Sequence, residues 1–313
     1  MDNRIEGVPQ GRESGHRFAP ILVNRPPRQV GRSIKVVAFN AHGGSRFDGI
    51  IHCLRREPLT GADVIFLCEA GWRHPRSAWR EFAADLAAAL GMSFAFLAQF
   101  GIPRMHGEPT ALKGNAILCS QPLDNARPAP IPNRLLHPRL ARMLGGPAGL
   151  TAQAHFNGRA IAFGVVHLNS RWDPPGREWQ MREFLAKIPD HGPAIVAGDL
   201  NTTTIAMHSP RAICRGAYQF LREPRRLSDP RRWETLFARL TQAGFQTDGA
   251  NAPGKRTFTF SRAIPRWLRP NLDWIAVRGL EPLHSSARTV AARPSFFRRR
   301  LSDHDFIMCE VRL

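Results

Sequence analysis

No apolar run of about 18 residues or more exists in this chain, so no segment reads as a membrane-spanning helix. The opening residues, Met1-Asp2-Asn3-Arg4-Ile5-Glu6, lack the apolar stretch of a secretory signal, and a soluble, cytoplasmic protein is expected. Cysteine pairs are missing as well. Cys53, Cys68, Cys119, Cys214 and Cys309 are odd in number and show no metal-type spacing. Cys68, Cys119 and Cys309 lie inside apolar runs and read as reduced core residues. No internal repeat is evident. Acidic residues are scarce: 25 Asp and Glu face 44 Lys and Arg, for a formal net charge of +19. Such a field attracts polyanions, whether nucleic acid, an acidic lipid surface or phosphorylated metabolites. Arginine far outnumbers lysine, and alanine, proline and glycine are abundant, a bias that GC-rich coding also produces. The charge therefore points to a polyanionic partner without identifying it.

What is present is enough for a sizeable core: 313 residues, 43% of them hydrophobic. Residues 1–33, rich in Arg, Pro and Gly, are expected to form a flexible or loosely strapped basic arm, with the fold proper over 34–313. The β-branched run Ile34-Lys35-Val36-Val37-Ala38-Phe39 predicts a strand that ends at Asn40. A helix over 47–56 and a strand over 63–68, ending at Glu69, follow. Phe82, Leu86 and Leu90 share one face of a helix over 79–90, which Gly91 stops. Strands are expected over 93–99 and 114–119. Asn157-Gly158, between the apolar segments 150–156 and 160–166, is a hairpin signal. A helix near 178–188 leads to the strand Ala194-Ile195-Val196-Ala197-Gly198. Residues 203–232 are an Arg- and Pro-rich excursion, longer than a usual connection. Trp233, Leu236, Phe237 and Leu240 have helical spacing before Gly244, and strands are expected over 257–260 and 272–277. Helices and strands interleaved in this way imply one α/β domain with two packed sheets.

The polar residues that punctuate these strands carry the chemistry. Asn40, Glu69, His167, the pair Asp199 and Asn201, Asp273 and finally Ser302-Asp303-His304 each fall at or near the end of an apolar β-like segment. Carboxylates, amides and histidines recur there with no covalent nucleophile among them, which suggests a site holding a divalent metal against a phosphate. Singly, each has an ordinary reading. Asn40 can cap the next helix, Glu69 can be a surface carboxylate, and Asp199 and Asn201 are common turn formers. His167 can be a satisfied half-buried histidine, and Asp303 with His304 a loop pair. Asp273 inside an apolar strand is harder to dismiss, because a lone buried carboxylate is costly. The joint pattern favours a metal-dependent phosphoesterase.

In order and context these segments resemble the endonuclease/exonuclease/phosphatase superfamily, whose members include deoxyribonucleases, apurinic-site endonucleases, sphingomyelinases and inositol-polyphosphate phosphatases. The matching stretches are Val37-Ala38-Phe39-Asn40-Ala41-His42-Gly43-Gly44, the strand ending at Glu69, Gly114-Asn115-Ala116-Ile117-Leu118 and Val165-Val166-His167-Leu168. Ala197-Gly198-Asp199-Leu200-Asn201-Thr202, Leu272-Asp273-Trp274-Ile275 and Ser302-Asp303-His304 complete them. The resemblance implies a four-layered α/β sandwich, two packed mixed β-sheets flanked by helices. It also implies roles: Glu69 as the main ligand of Mg²⁺ or Mn²⁺, supported by Asn40 and Asp303. Asp199 would orient and deprotonate the attacking water, and Asn201 would hold Asp199 or the phosphate. His304, oriented by Asp273, would contact the phosphoryl oxygen, with His167 as a second donor. His42 stands where many members carry an acidic or amide residue, and Asn271 where a basic one is usual.

Two other motifs are set aside. Gly249-Ala250-Asn251-Ala252-Pro253-Gly254-Lys255 matches the start of a phosphate-binding loop, but Arg256 replaces the required Ser or Thr. Ser302-Asp303-His304 contains the letters of a hydrolytic triad, yet no Gly-x-Ser-x-Gly elbow exists. Arginines cluster at 222, 225, 226, 231 and 232, and again at 293, 298, 299 and 300. Arg298, Arg299 and Arg300 precede Asp303 and are expected to steer the substrate. Trp267 among Arg262, Arg266 and Arg269, and Phe296-Phe297 beside Arg298, could stack on bases or dip into an anionic lipid surface. The expectation is a phosphodiesterase with nucleic acid favoured as substrate. A phospholipid or small phosphorylated molecule is the alternative within the enzyme class, and a non-catalytic nucleic-acid-binding module the alternative outside it. Oligomeric state is left open.

Overall fold

The computed structural model describes residues 16–102, 111–133, 144–205, 209–259, 269–293 and 300–313. Its architecture is the α/β sandwich expected, two mixed sheets face to face with helices outside. The first half builds most of one sheet. Strands β1 (Ile21–Val23), β2 (Ser33–Asn40), β3 (Val64–Trp72), β4 (Ser93–Ile102) and β5 (Ala111–Cys119) alternate with helices α1 (Phe47–Leu54) and α2 (Phe82–Leu90). The middle of the chain builds the second sheet from β6 (Leu123–Pro130), β7 (Ala148–Phe156), β8 (Arg159–His167) and β9 (Ala194–Asp199). Helix α3 (Pro174–Leu185) connects the last two. Helices α4 (Pro210–Arg222), α5 (Arg225–Ser228) and α6 (Leu236–Gln242) follow β9, and β10 (Asp273–Arg278) pairs back onto it. The chain then returns to the first sheet through β11 (Glu281–Pro282), β12 (Arg288–Val290) and β13 (Phe306–Arg312).

The strand orders are β1-β4-β5-β3-β2-β13-β11, with β12 also on β13, and β10-β9-β8-β7-β6. The central strands are apolar on both faces because both faces are covered. Between the sheets, Phe66 of β3 meets Phe163 of β8 edge to face, with centroids 6.0 Å apart. On the outer face of the second sheet, Met181 and Phe184 of α3 and Leu236, Phe237 and Leu240 of α6 pack with Trp274. Asn157 and Gly158 both have positive φ, as a tight two-residue hairpin between β7 and β8 requires.

Several sequence expectations are corrected. The 1–33 arm is not free throughout: Ile21–Val23 pairs with β4, and Phe18 and Ile21 are buried in the core. The strand ending at Glu69 continues to Trp72. Helix α2 begins at Phe82 and not at 79, because Ala78 and Trp79 hold left-handed backbone that interrupts a helix. Helix α3 begins at Pro174, where Asp173 accepts a hydrogen bond from the Gly176 amide as N-cap and proline occupies the first turn. No strand forms over the described part of 257–260. Thr257 and Thr259 instead make two backbone bonds to the loop before β13, through the Asp305 amide and the Asp303 carbonyl. None of the described helices is long and apolar enough to cross a membrane.

Candidate active site

The register of the second sheet assembles the first half of the site. His167 and Asp273 are the in-register partners of Asp199 on the two neighbouring strands, so three polar residues stand side by side at one sheet end. Gly198 permits the close pairing: a Cβ there would lie 2.0 Å from the Val166 carbonyl oxygen, and its φ is +146°. The first sheet supplies the other half. Asn40 ends β2 opposite Cys68, and Glu69 sits on a β-bulge between Leu67 and Ala70 with φ of +54°. Bulges re-aim a side chain that a regular strand would point elsewhere. The Cys68 thiol links the sheets, donating to the Val166 carbonyl and accepting from the Asp199 amide.

Asp199 is the hub. Its Oδ2 accepts from Asn40 Nδ2 at 3.0 Å, and its Oδ1 from the Asn201 backbone N–H at 3.0 Å. The Asn201 side chain, expected to hold Asp199 or the phosphate, instead donates through Nδ2 to the Leu168 carbonyl at 2.8 Å. His167 Nε2 and His304 Nε2 each lie 3.5 Å from Oδ2, longer than a well-formed hydrogen bond. Two imidazole edges thus converge on one carboxylate and remain available to a third group. Burial pushes the Asp199 carboxyl up, against the pull of His304 and His167. Burial also disfavours charge on His304. Asp273 and Asp199 outweigh it, raising the imidazole to about 10 and keeping it cationic at neutral pH. His304 Nδ1 meets Asp273 Oδ2 at 2.7 Å, and Phe258 packs against the ring edge to face. Thr257 Oγ1 accepts from the Leu272 and Asp273 amides and steadies Asp273 in turn.

Glu69 lies beside this hub, its Oε1 3.9 Å from His167 Nδ1. Lys113 Nζ donates to Glu69 Oε2 at 2.9 Å. Burial opposes ionisation of Glu69, but the charges of His167 and Lys113 and the lysine hydrogen bond more than offset it, lowering the carboxyl to about 2. A permanently ionised carboxylate on a bulge is the donor a hard divalent cation requires. Asn40 Oδ1 accepts from the His42 amide and keeps a second lone pair. Ser302 Oγ donates to the Asn40 carbonyl at 2.7 Å and lies 3.2 Å from Asp303 Oδ1. Asp199, Asp273 and His304 also bring ligand-type atoms within 4.8 Å of one another and could hold an ion. A proton shared by Asp273 and His304 competes with an ion there, as the Lys113 ammonium does on Glu69 Oε2, whereas Glu69 Oε1 has only His167 Nδ1 near it, at 3.9 Å.

Asn40, Glu69, His167, Asp199, Asn201, Asp273, Asp303 and His304 therefore gather in one connected cluster. Arg300 does not stand free at its mouth. It pairs with Asp305 and donates to the Ser302 carbonyl, so it braces the loop that carries Asp303 and His304. Arg298, Arg299, Phe296, Phe297, Arg262, Arg266 and Trp267 lie outside the described residues. Sequence reasoning missed Lys113, Thr257, Phe258 and the contact between His42 and Arg76. His42 Nε2 is 2.7 Å from Arg76 Nη1, and its Nδ1 is 3.3 Å from Asp303 Oδ1. His42 was visible as a departure from the usual residue, but Arg76 and Lys113 carry no local signal.

Residues 37–304 match the sequence profile of the Endonuclease/Exonuclease/phosphatase family. Among solved structures, an endonuclease/exonuclease/phosphatase from Beutenbergia cavernae DSM 12333 superposes with a TM-score of 0.61 at 18% identity, covering 90% of this chain and 72% of that one. D. rerio TDP2 complexed with a single-strand DNA product gives 0.55 at 17%, covering 90% and 100%. Sphingomyelinase C from Streptomyces griseocarneus gives 0.52 at 16%, covering 90% and 99%. A comparison with curated proteins finds no match. At these identities the structures establish the shared fold.

Proposed function

Since the chain belongs to the endonuclease/exonuclease/phosphatase family and is a phosphoesterase by that fold, we propose that it hydrolyses phosphodiesters by direct attack of water. The observation that carries this reading is the convergence of His167 and His304 on Asp199, each 3.5 Å from the same oxygen. Asp199, its Oδ1 anchored by the Asn201 amide, takes the proton from the attacking water. Asn40 holds the other oxygen in place. The His304 cation, aligned by Asp273, donates to the phosphoryl oxygen on which charge develops, and His167 supplies a second donor. Placement of all these groups before substrate arrives removes much of the orientational barrier.

Glu69, with Asn40 on the adjacent strand and Asp303 tied to it through Ser302, is the set that would hold Mg²⁺ or Mn²⁺. When bound, such a cation supplies neutralisation of phosphate charge and polarisation of the phosphoryl group. The net charge of +19 supports a polyanionic substrate, with nucleic acid first. TDP2 bound to a DNA product and a sphingomyelinase share this fold, so nucleic acid and phospholipid are the two substrate classes to compare.

The test is hydrolysis of bis-p-nitrophenyl phosphate against p-nitrophenyl phosphate, with Mg²⁺, Mn²⁺ or excess chelator. Wild type should cleave the diester only with metal, and Asp199→Asn should lose about 10²–10⁴-fold in rate with an unchanged circular dichroism spectrum. Full turnover in chelator, or a fully active Asp199→Asn, would overturn the assignment. Plasmid DNA, single strands, RNA and sphingomyelin then rank the substrates.

A further inference from the structure

Five large apolar side chains are exposed among the described residues, and three of them, Ile213, Tyr218 and Leu221, lie on α4. Leu221 is 78% exposed. Successive helical residues are offset by about 100°, which puts Ile213, Ala217, Leu221, Cys214 and Tyr218 on one continuous arc. The next sector carries Arg211, Arg215 and Arg222. The opposite side of the helix faces the body, where its one buried residue, Gly216, is packed by Ile205. A Cβ on Gly216 would lie 2.6 Å from the Ile205 side chain, so the helix is seated closely on that side and bare on the other. Ile205 follows Asn201 closely in the chain, which fixes α4 on the segment leaving the candidate active site.

An isolated surface helix of 13 residues gains nothing in water from such a face, and a core helix would bury it. We propose that α4 docks this protein on anionic lipid surfaces, lying in the interface plane with Ile213, Tyr218 and Leu221 inserted and the arginines against the headgroups. Charge complementarity decides the occupant. The rim of the apolar arc is arginine, Arg222 lies over the Tyr218 ring at 5.4 Å, and the exposed Arg225 adds positive charge in the short helix that follows. A second copy of this chain would bring the same arginines against each other. Nucleic acid would satisfy the arginines but leave the apolar arc in water. Helices with an apolar face and a basic polar face bind membranes by this combination. The inference stands on α4 and holds whichever phosphodiester the active site cleaves.

Cys214 provides a direct probe, because it lies in the arc and is exposed, whereas Cys68, Cys119 and Cys309 are buried and Cys53 is half-buried. An environment-sensitive thiol dye on Cys214 of the full chain is titrated with phosphatidylcholine vesicles that contain or lack phosphatidylglycerol. A blue shift with the anionic vesicles alone is expected, together with co-sedimentation. The charge-neutral triple variant Ile213→Gln, Tyr218→Gln and Leu221→Gln should weaken co-sedimentation at least tenfold and leave DNA affinity unchanged. Replacing Arg211, Arg215 and Arg222 by Gln should lower it by about a hundredfold, from roughly a factor of five for each arginine near an anionic surface. Binding without a dye shift, or undiminished binding of the triple apolar variant, would mean that the general positive charge or another surface does the work. A blue-shifted dye without vesicles, with a dimer that the same variant dissociates, would assign the face to a second copy. An equal loss of DNA affinity would assign it to nucleic acid. Each of these four results overturns the proposal.

Discussion

At the scale of single residues, the proposed chemistry depends on charges held in forced proximity. His304 is the clearest case. Burial alone would make its imidazole neutral, yet Asp273 and Asp199 raise it to about 10. Because the shift is upward, the cation persists through neutral pH and is lost only as pH rises through that value. Asp273→Asn removes the first anion, so the alkaline limb of kcat/KM should move below about 10. A limb at the wild-type position would show that His304 does not need to be charged. Lys113 poses a different question, since its ammonium sits on the carboxylate that should receive the metal. An ammonium and a divalent cation compete for the same oxygens. Lys113→Met should therefore tighten Mn²⁺ binding by about tenfold, the equivalent of one charge-assisted hydrogen bond. Isothermal titration reads this without turnover; weaker Mn²⁺ binding in the variant would mean that lysine organises Glu69 for the metal instead.

At the scale of elements, the segment after β9 is pinned by a buried ion pair. Arg177 of α3 is fully buried, donates through Nε to Glu234 Oε2 at 3.1 Å and also pairs with Oε1. The same guanidinium donates to the Trp172 carbonyl, and Glu234 accepts from the Thr204 amide at 2.7 Å. One pair thus joins the chain before α3, the chain before α6 and the turn beyond Asn201. Burial pushes the Glu234 carboxyl up, with Arg177 opposing. Glu234→Ala should destabilise the fold by about 3–5 kcal/mol, because it leaves a buried guanidinium without its partner. Urea unfolding checks this, and a loss under about 1 kcal/mol would mean that water replaces the carboxylate. Neither Arg177 nor Glu234 stood out in the sequence, where a helix over 178–188 was expected and Arg177 fell outside it. The cap that moved the start to Asp173-Pro174 was written in the chain, as an aspartate directly before proline.

For the whole molecule, net charge and shape act together. With a formal charge of +19, the proposed polyanion affinity should fall with salt, and neutralised phosphate contacts would set the slope. Replacing Arg298 and Arg299 by Gln should flatten the slope of log K against log salt by about 0.9 for each arginine that contacts a phosphate. An unchanged slope would exclude both from substrate capture. Arg300 is left out of that variant because its bond to Asp305 makes it part of the loop's support.

The family, with the layer order it implies, was legible as a resemblance, and the polar candidates for the site as residues that close apolar runs. Each strand announces itself by a local apolar run, and a polar residue that closes such a run is conspicuous wherever the sheet lies. The excursion over 203–232 was conspicuous too, but its amphipathic arc acquires meaning only once Gly216 is seen to face the body. What remained hidden depends on register between distant segments. Lys113 and Glu69 meet across 44 positions, Arg76 and His42 across 34, and Ser302 reaches Asn40 across 262. Strand pairing and a bulge with left-handed backbone bring these groups within bonding distance, and no local pattern encodes that meeting. Short-range chemistry sufficed to single out the candidate groups, while their charge states and partners arose from the burial and proximity that packing two sheets together imposes.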